Sequence, residues 1–251
     1  MRTGDLKGLA QAARIRAEAD MGERSLADLE ELIAVLPPVR PFGARLTRAA
    51  GPVPRVIAEM KPPSPDSGGT DRPYRPRQLA LGFARVGAAA LSVITEPDVH
   101  GGQLSHLLEA RPAHLPILRS DCLITPYQVA QTRLAGADAV LLIAAVLEGP
   151  PLGIMLQAAR RYGLEAMVEA HSPEDAARAF AEGASLVALT PEARAPGPAA
   201  PRPGTIAVAG AGGRQEVFHL VDSGYDAILV GDALMQADDP GDALWKLLER
   251  A

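Results

Sequence analysis

The chain is short of cysteine, of aromatic residues and of surplus positive charge, and it has no long apolar run. A single cysteine, Cys122, among 251 residues excludes an internal disulfide and points to a reducing compartment. Aromatic residues make up only 4%, too few for the stacking platforms that hold single-stranded nucleic acid. Lys+Arg number 25 against 30 Asp+Glu, a formal net charge of −5, so the basic surplus or stripe of a nucleic-acid binder is missing. The longest apolar stretch, Ala139 to Leu147, is about half of the ~20 residues that a membrane helix needs. The first residues, Met1 to Asp5, lead into a charged helix and not into the apolar core of a signal peptide. His100, His106, His114, His171 and His219 show no metal-ligand spacing. No Gly-x-Ser-x-Gly turn occurs. A cytoplasmic protein is expected, with no metal, no cofactor, no nucleic acid and no membrane among its partners.

What is present is the composition of a globular protein, 47% hydrophobic and 22% charged. The first 50 residues carry helical periodicity. Leu6, Leu9, Ala10, Ala13 and Ile15 recur at helical spacing among charges, and Leu26, Leu29, Leu32 and Ile33 lie on one face of a second helix, which Ser25 can cap with Asp28 three residues on. Pro37-Pro38 ends the second helix. After Pro54 short apolar runs alternate with amphipathic stretches. The runs are Val56–Met60, Ala90–Thr95, Pro116–Leu118, Ala139–Ala144, Glu165–Glu169, Leu186–Thr190, Thr205–Ala209 and Ala227–Val230. Each is bounded by Gly, Pro or polar residues, as strands covered on both faces are. Gly87, Gly136, Gly183 and Gly224 precede several runs, in the manner of helix C-caps. Eight such units predict an α/β fold, a (β/α)8 TIM barrel, over residues 54–251 with a helical extension over 1–50, all one domain. A doubly wound sheet is the alternative, but no glycine fingerprint follows the first strand. The extension can cap the barrel bottom or mediate a dimer, and capping is the expectation. Monomer and homodimer both remain open. The stretch Pro191–Gly204 holds five prolines and cannot sustain a helix. It is either a plain surface loop or a remodelled rim of the catalytic face.

Barrels carry their chemistry where strands end. Strand one ends in Glu59-Met60-Lys61, two charges on the same side of the strand. They can serve as a base and an electrostatic clamp, or form a buried ion pair. The loop after them, Pro62 to Gly69, can act as a lid. Glu169 sits in an apolar run and shares a face with Met167 and His171, so it needs a partner or a task. Glycines crowd the ends of strands seven and eight, at Gly210, Gly212, Gly213 and Gly231. Barrels often bind phosphate there. Asp232 would repel a phosphate unless it turns away to cap the short helix that follows. Cys122 is expected to be packing and not a nucleophile.

These residues resemble the indole-3-glycerol phosphate synthase family along nearly the whole chain. The resemblance is carried by Val56-Ile57-Ala58-Glu59-Met60-Lys61-Pro62-Pro63-Ser64-Pro65, by Leu91 to Glu96, by Leu115 to Arg119 with Asp121, by Gly136 to Ile143, by Val168 to His171 and by Val230 to Met235. It implies a barrel lyase that closes an anthranilate-derived, ring-opened ribulose phosphate to an indole, releasing carbon dioxide and water. Lys61 would then hold the substrate phosphate or carboxylate and aid dehydration. Glu59 would move a proton, and Glu169 would act as base or cation stabiliser. Ser64 would bind substrate, as would the positions now held by Ser120, Thr190, Gly210 and Ala211. Gly212, Gly213, Gly231 and Asp232 would cradle the phosphate.

The sequence also departs from the pattern of that family. The strand-three lysine that the family uses as general acid is replaced by Ser120. Arg119 cannot stand in, because it points to the opposite face and a guanidinium keeps its proton. Thr190 stands for the strand-six asparagine, and Gly210 for the strand-seven glutamate. Three readings follow: the family reaction run slowly, a related aryl-amino sugar phosphate as substrate, or a pseudoenzyme that binds a phosphate ligand without turnover.

Overall fold

The structure, a computed structural model, describes residues 3–47, 55–63, 73–194, 203–208 and 213–249. Three helices come first: α1 (Thr3–Glu23), α2 (Leu26–Ala34) and α3 (Phe42–Leu46). Then β1 (Val56–Met60), α4 (Pro76–Val86), β2 (Ala90–Ile94), α5 (Ser105–Ala110), β3 (Ile117–Ser120), α6 (Pro126–Leu134), β4 (Ala139–Ile143) and α7 (Pro150–Arg161) follow. The rest is β5 (Glu165–Ala170), α8 (Pro173–Ala181), β6 (Leu186–Leu189), β7 (Thr205–Val208), α9 (Gly213–Asp222), β8 (Ala227–Val230), α10 (Asp232–Met235) and α11 (Pro240–Leu248). The eight strands are parallel and close in sequence order, β1 pairing with β8. This is the expected (β/α)8 barrel. The four glycines expected as helix C-caps all have left-handed φ, between 82° and 101°, a conformation that side chains with a Cβ resist. No described helix is long and apolar enough to cross a membrane.

Strand alternation divides the core. Val56, Ala58 and Met60 pack outward against α4 and α11, while Ile57 joins Leu118, Leu141, Met167, Ala188, Ile206 and Leu229 inside the barrel. The same alternation sends Glu59 inward above Ile57. Arg119 goes outward, where its guanidinium meets Thr95 Oγ1 at 2.9 Å, Thr132 Oγ1 at 3.1 Å and Asp121 at 2.7 Å. Burial opposes ionisation of Asp121, yet the Arg119 charge and these hydrogen bonds hold its carboxyl below the ordinary range.

The capping box at α2 forms as expected, with Ser25 Oγ accepting from Asp28 N at 3.2 Å and Asp28 Oδ2 accepting from Ser25 N at 3.0 Å. The expectation that the whole extension caps the bottom is corrected, because only α3 does so. Phe42 and Leu46 are fully buried among the inward residues, and Glu165, first residue of β5, accepts from Phe42 N at 2.6 Å and Gly43 N at 3.0 Å. By contrast α1 lies over the strand C-termini. Leu9 and Ala13 pack on Cys122, Tyr127 Oη donates to Asp20 O at 2.9 Å, and Arg16 pairs with Asp98 and lies 3.8 Å from Glu96. The physical reason is length: 21 residues of helix span roughly 30 Å, enough to reach the mouth from the flank of α6.

Asp138 ties the extension to the barrel floor. It is 2% exposed and accepts from Arg40 N at 2.8 Å and Ile117 N at 2.8 Å, with the Arg40 guanidinium 2.7 Å away. Removing one partner of a buried pair strands the other in low dielectric. Asp138→Ala is therefore expected to destabilise the fold by about 3 kcal/mol in urea unfolding. A change under about 1 kcal/mol would show that water takes over the lock.

Candidate active site at the barrel mouth

The inward positions at the strand C-termini converge on a cavity of about 150 Å³, close to the volume that holds one benzene ring. Its apolar wall is Leu9, Ile94, Cys122, Leu141 and Ile143. Its polar side is Glu59, Glu96, His100, Ser120, Asp121 and Glu169. Six-membered-ring size, one greasy wall and a band of carboxylates suit an aryl group bearing a nitrogen.

Glu59 is half-buried and accepts from Ser92 Oγ at 3.0 Å. Burial pushes its carboxyl up to about 7, with the Glu169 and Asp232 charges adding and Ser92 and Lys61 opposing. It can therefore give or take a proton near neutrality. Gly231 makes room for it: a Cβ there would lie 2.6 Å from Glu59 Oε2. Lys61 sits on the same side of the chain and pairs with Asp232, first residue of α10. Asp232 does not cap that helix. The N-cap is Gly231, without a side-chain cap, and the Asp232 carboxylate reaches across the β1–β8 seam to the ammonium. Opposite charge at contact distance outweighs one backbone N–H.

Glu169 finds its partner in His171, Nε2 to Oε1 at 2.7 Å. That hydrogen bond raises the His171 pKa against the opposing effect of burial. Ser120 ends β3 at the cavity, and Thr190 follows β6, its N–H bonded to Ala170 O at 3.1 Å. Gly213 begins α9 with φ of 62°. Ser64, Gly210, Ala211 and Gly212 lie outside the described residues, as do the Pro62–Gly69 loop beyond Pro63 and residues 195–202 of the proline-rich stretch. The start of that stretch, Pro191–Ala193, is a single 3-10 turn. Cys122 is buried packing, its thiol pushed up to about 12 by burial and the Asp121 charge.

Sequence reasoning missed three contributors. Leu9 arrives from α1, which was expected elsewhere. Glu96 is 3% exposed and accepts from the N–H groups of Asp98, Val99 and His100 at 2.8, 2.8 and 3.1 Å, which fixes the loop after β2. His100 rides on that loop into the mouth. The available signal was Gly101-Gly102, which begins seven residues past the end of β2. A Cβ at Gly102 would meet the Thr95 carbonyl carbon at 2.6 Å, so only glycine lets the loop fold back.

Two solved structures share this fold. Thiamine phosphate pyrophosphorylase from Pyrococcus furiosus superposes with a TM-score of 0.55 at 17% identity, over 77% of this chain and 93% of that one. An N-acetylmannosamine-6-phosphate 2-epimerase from Clostridium perfringens gives 0.55 at 16% identity, over 74% of this chain and 90% of that one. At such identity the likeness concerns architecture alone. Sequence relatives go further. Indole-3-glycerol phosphate synthase 2 of Streptomyces coelicolor is 37% identical over 95% of this chain and 96% of its own length. The indole-3-glycerol phosphate synthase of a Nocardioides species is 38% identical over 91% of this chain and 93% of its own. A family model described as indole-3-glycerol phosphate synthase matches residues 6–190 and stops where the proline-rich stretch begins. With β1 to β6 inside that match and the relatives spanning almost the full length, the chain belongs to the indole-3-glycerol phosphate synthase family.

Proposed function

We propose that this chain is a carboxy-lyase. It takes an anthranilate-derived (carboxyphenylamino)deoxyribulose phosphate, or a close aryl-amino analogue, and closes it to an indole with loss of carbon dioxide and water. One observation carries the reading: Glu59, Ser120 and Glu169, from three strands, line one ring-sized cavity with an apolar wall. Family membership supports it, since the relatives bear the name of that synthase.

In this reading the aryl ring packs on Leu141 and Ile143, and the sugar phosphate extends into the open mouth. Lys61 exchanges Asp232 for the substrate phosphate or carboxylate. Glu59, poised near 7, moves a proton, and Glu169 accepts one or steadies positive charge. Ser64, Ser120, Thr190, Gly210 and Ala211 contact substrate, and Gly212, Gly213, Gly231 and Asp232 shape the phosphate end through their backbone. A positioned general acid is worth roughly 10²–10⁴-fold. With serine in place of the strand-three lysine, turnover is expected to be slower than that of a lysine-bearing relative by a factor of that order, unless another group supplies the proton.

The test is fluorescence-monitored turnover of the carboxyphenylamino substrate, with indole glycerol phosphate as a binding control. Indole formation supports the synthase reading. Binding of the product without turnover favours the second reading, a phosphate-ligand-binding pseudoenzyme, which the serine at position 120 specifically motivates. Neither binding nor turnover would sink both and leave the fold.

A further inference from the structure

Ring closure needs a proton at one defined atom. As the aryl carbon bonds to the ketose carbonyl carbon, the carbonyl π pair moves onto oxygen, and that oxygen must be protonated. Ser120 holds the β3 position and a hydroxyl is a poor donor at neutral pH. Four carboxylates line the cavity, each with a partner, and Glu59 is the one left to take the proton from carbon in the dehydration. Glu96 accepts from three backbone N–H groups, Asp121 from Arg119, Thr95 and Cys122, Glu59 from Ser92, and Glu169 pairs with His171.

His100 remains. It lines the same cavity and is half-buried, and among the described residues its ring makes no hydrogen bond. Its backbone is fixed: His100 N donates to Glu96, Gly101 N to Pro97 O at 3.0 Å and Gly102 N to Glu96 O at 2.8 Å. The charged groups around the ring come from four elements, Lys61 after β1, Glu96 after β2, Asp121 after β3 and Asp232 after β8. A rigidly carried imidazole with free nitrogens, aimed at a ligand cavity and ringed by one cation and three carboxylates, is equipped to deliver a proton.

We propose that His100 protonates the ketose carbonyl oxygen at ring closure, taking the place of a β3 lysine in this chain. The proposal rests on the synthase reading above. The imidazolium N–H passes its proton to the oxygen as the new carbon–carbon bond forms, leaving neutral imidazole and a hydroxyl. Carbon dioxide departs, and its bonding pair restores the aromatic ring. The hydroxyl then leaves as water with a second proton, while a carboxylate takes the proton from the neighbouring nitrogen-bearing carbon. Two protons enter and one leaves, so each turnover of the carboxylate substrate consumes one proton from solvent.

Burial, with the Lys61 charge, holds the free ring below its ordinary pKa. A substrate bringing a carboxylate and a phosphate raises it. The acid form is the active one. Wild-type kcat/KM is therefore expected to fall with rising pH from below 6.5, and kcat from a higher pH, since the two report free and bound enzyme.

The experiment pairs kcat–pH profiles of the wild type and His100→Gln with histidine-ring NMR titrations of the wild type, with and without indole glycerol phosphate. The expected result is a 10²–10⁴-fold lower kcat in the variant, a KM within about threefold, and loss of the alkaline fall. In the NMR, the His100 pKa rises on binding while His114 and His219 stay put. A variant kcat within threefold of wild type, with the same alkaline fall, overturns the proposal and leaves the synthase reading intact. If the wild type binds product but never turns over, the synthase reading fails. The proposal falls with it, whereas an unmoved His100 in a bound, active wild type overturns the proposal and leaves the synthase reading intact. Absence of binding removes both.

Discussion

Glu59→Gln is expected to lose about 10²–10⁴-fold in kcat and, at the same time, to make the protein more stable at pH 8. The two effects have one cause. The carboxyl is half-buried beside Glu169 and Asp232, and burial raises it from 4.5 to about 7. Between those values the folded state holds a proton that the unfolded state has released. Unfolding free energy therefore falls as pH rises. The contribution is complete below pH 4.5 and gone once pH passes about 7. A shift of this size corresponds to roughly 3–4 kcal/mol at about 1.4 kcal/mol per unit. Gln keeps the shape and the Ser92 contact but never ionises, and it fits the space that Gly231 leaves. Urea unfolding is expected to give the variant a gain of about 3 kcal/mol at pH 8 and under about 1 kcal/mol at pH 5. A functional group that the fold would prefer uncharged is a familiar trade of stability for activity. Loss of activity without the gain at pH 8 would mean that the carboxylate is well solvated, and its role as a neutral-pH acid would go with it.

Lys61→Met is the second large effect, and it is expected to act on binding more than on folding. The ammonium is 15% exposed, but its partner Asp232 is 56% exposed, so water solvates the carboxylate that is left behind. The stability change is expected within about 1 kcal/mol. Function is another matter. Among the described residues, Lys61 is the cation that acts on both Glu59 and His100, against Glu169, Asp232, Glu96 and Asp121. Without it Glu59 and Asp232 face a substrate that carries a phosphate and a carboxylate with no cation beside them, since Arg16, Arg119 and His171 are held by Glu96, Asp121 and Glu169. A fall in kcat/KM of about 10³-fold or more is expected, with much of it in KM. Asp232→Asn should do the reverse for binding. It frees the ammonium and removes a like charge from the ligand, so indole glycerol phosphate is expected to bind about threefold to tenfold tighter, more so at low salt. Should Lys61→Met keep kcat/KM within tenfold, the cation serves Asp232 and not the ligand.

Both variants bear on the lyase reading as a whole. A pseudoenzyme would lose ligand affinity on removing Lys61 and show no kinetic consequence at Glu59. A lyase responds at both. The buried lock at Asp138, far below the mouth, is expected to change stability with kcat per folded molecule unaltered, which makes it a control for global damage.

Sequence alone determined the architecture and the facing of side chains along each strand. Eight apolar runs spaced by glycine-ended helices admit little except a closed parallel barrel. The two-residue period put Glu59 with Lys61 and Glu169 with His171, and it set Arg119 against Ser120; every one of these placements is local, so no knowledge of distant chain was needed. Tertiary structure alone decided what those residues meet. Lys61 finds Asp232 because β1 closes onto β8, a pairing 171 residues apart in sequence. Glu165 and Asp138 hold α3 and Arg40 through contacts 123 and 98 residues apart. The course of α1 across the mouth, with Leu9 in the cavity and Arg16 against the Glu96 loop, follows from which surface of the closed barrel remained open to cover. Helix periodicity says that a stripe will be buried. It carries no information about which partner buries it, and at this mouth the partner decides where the ligand can sit.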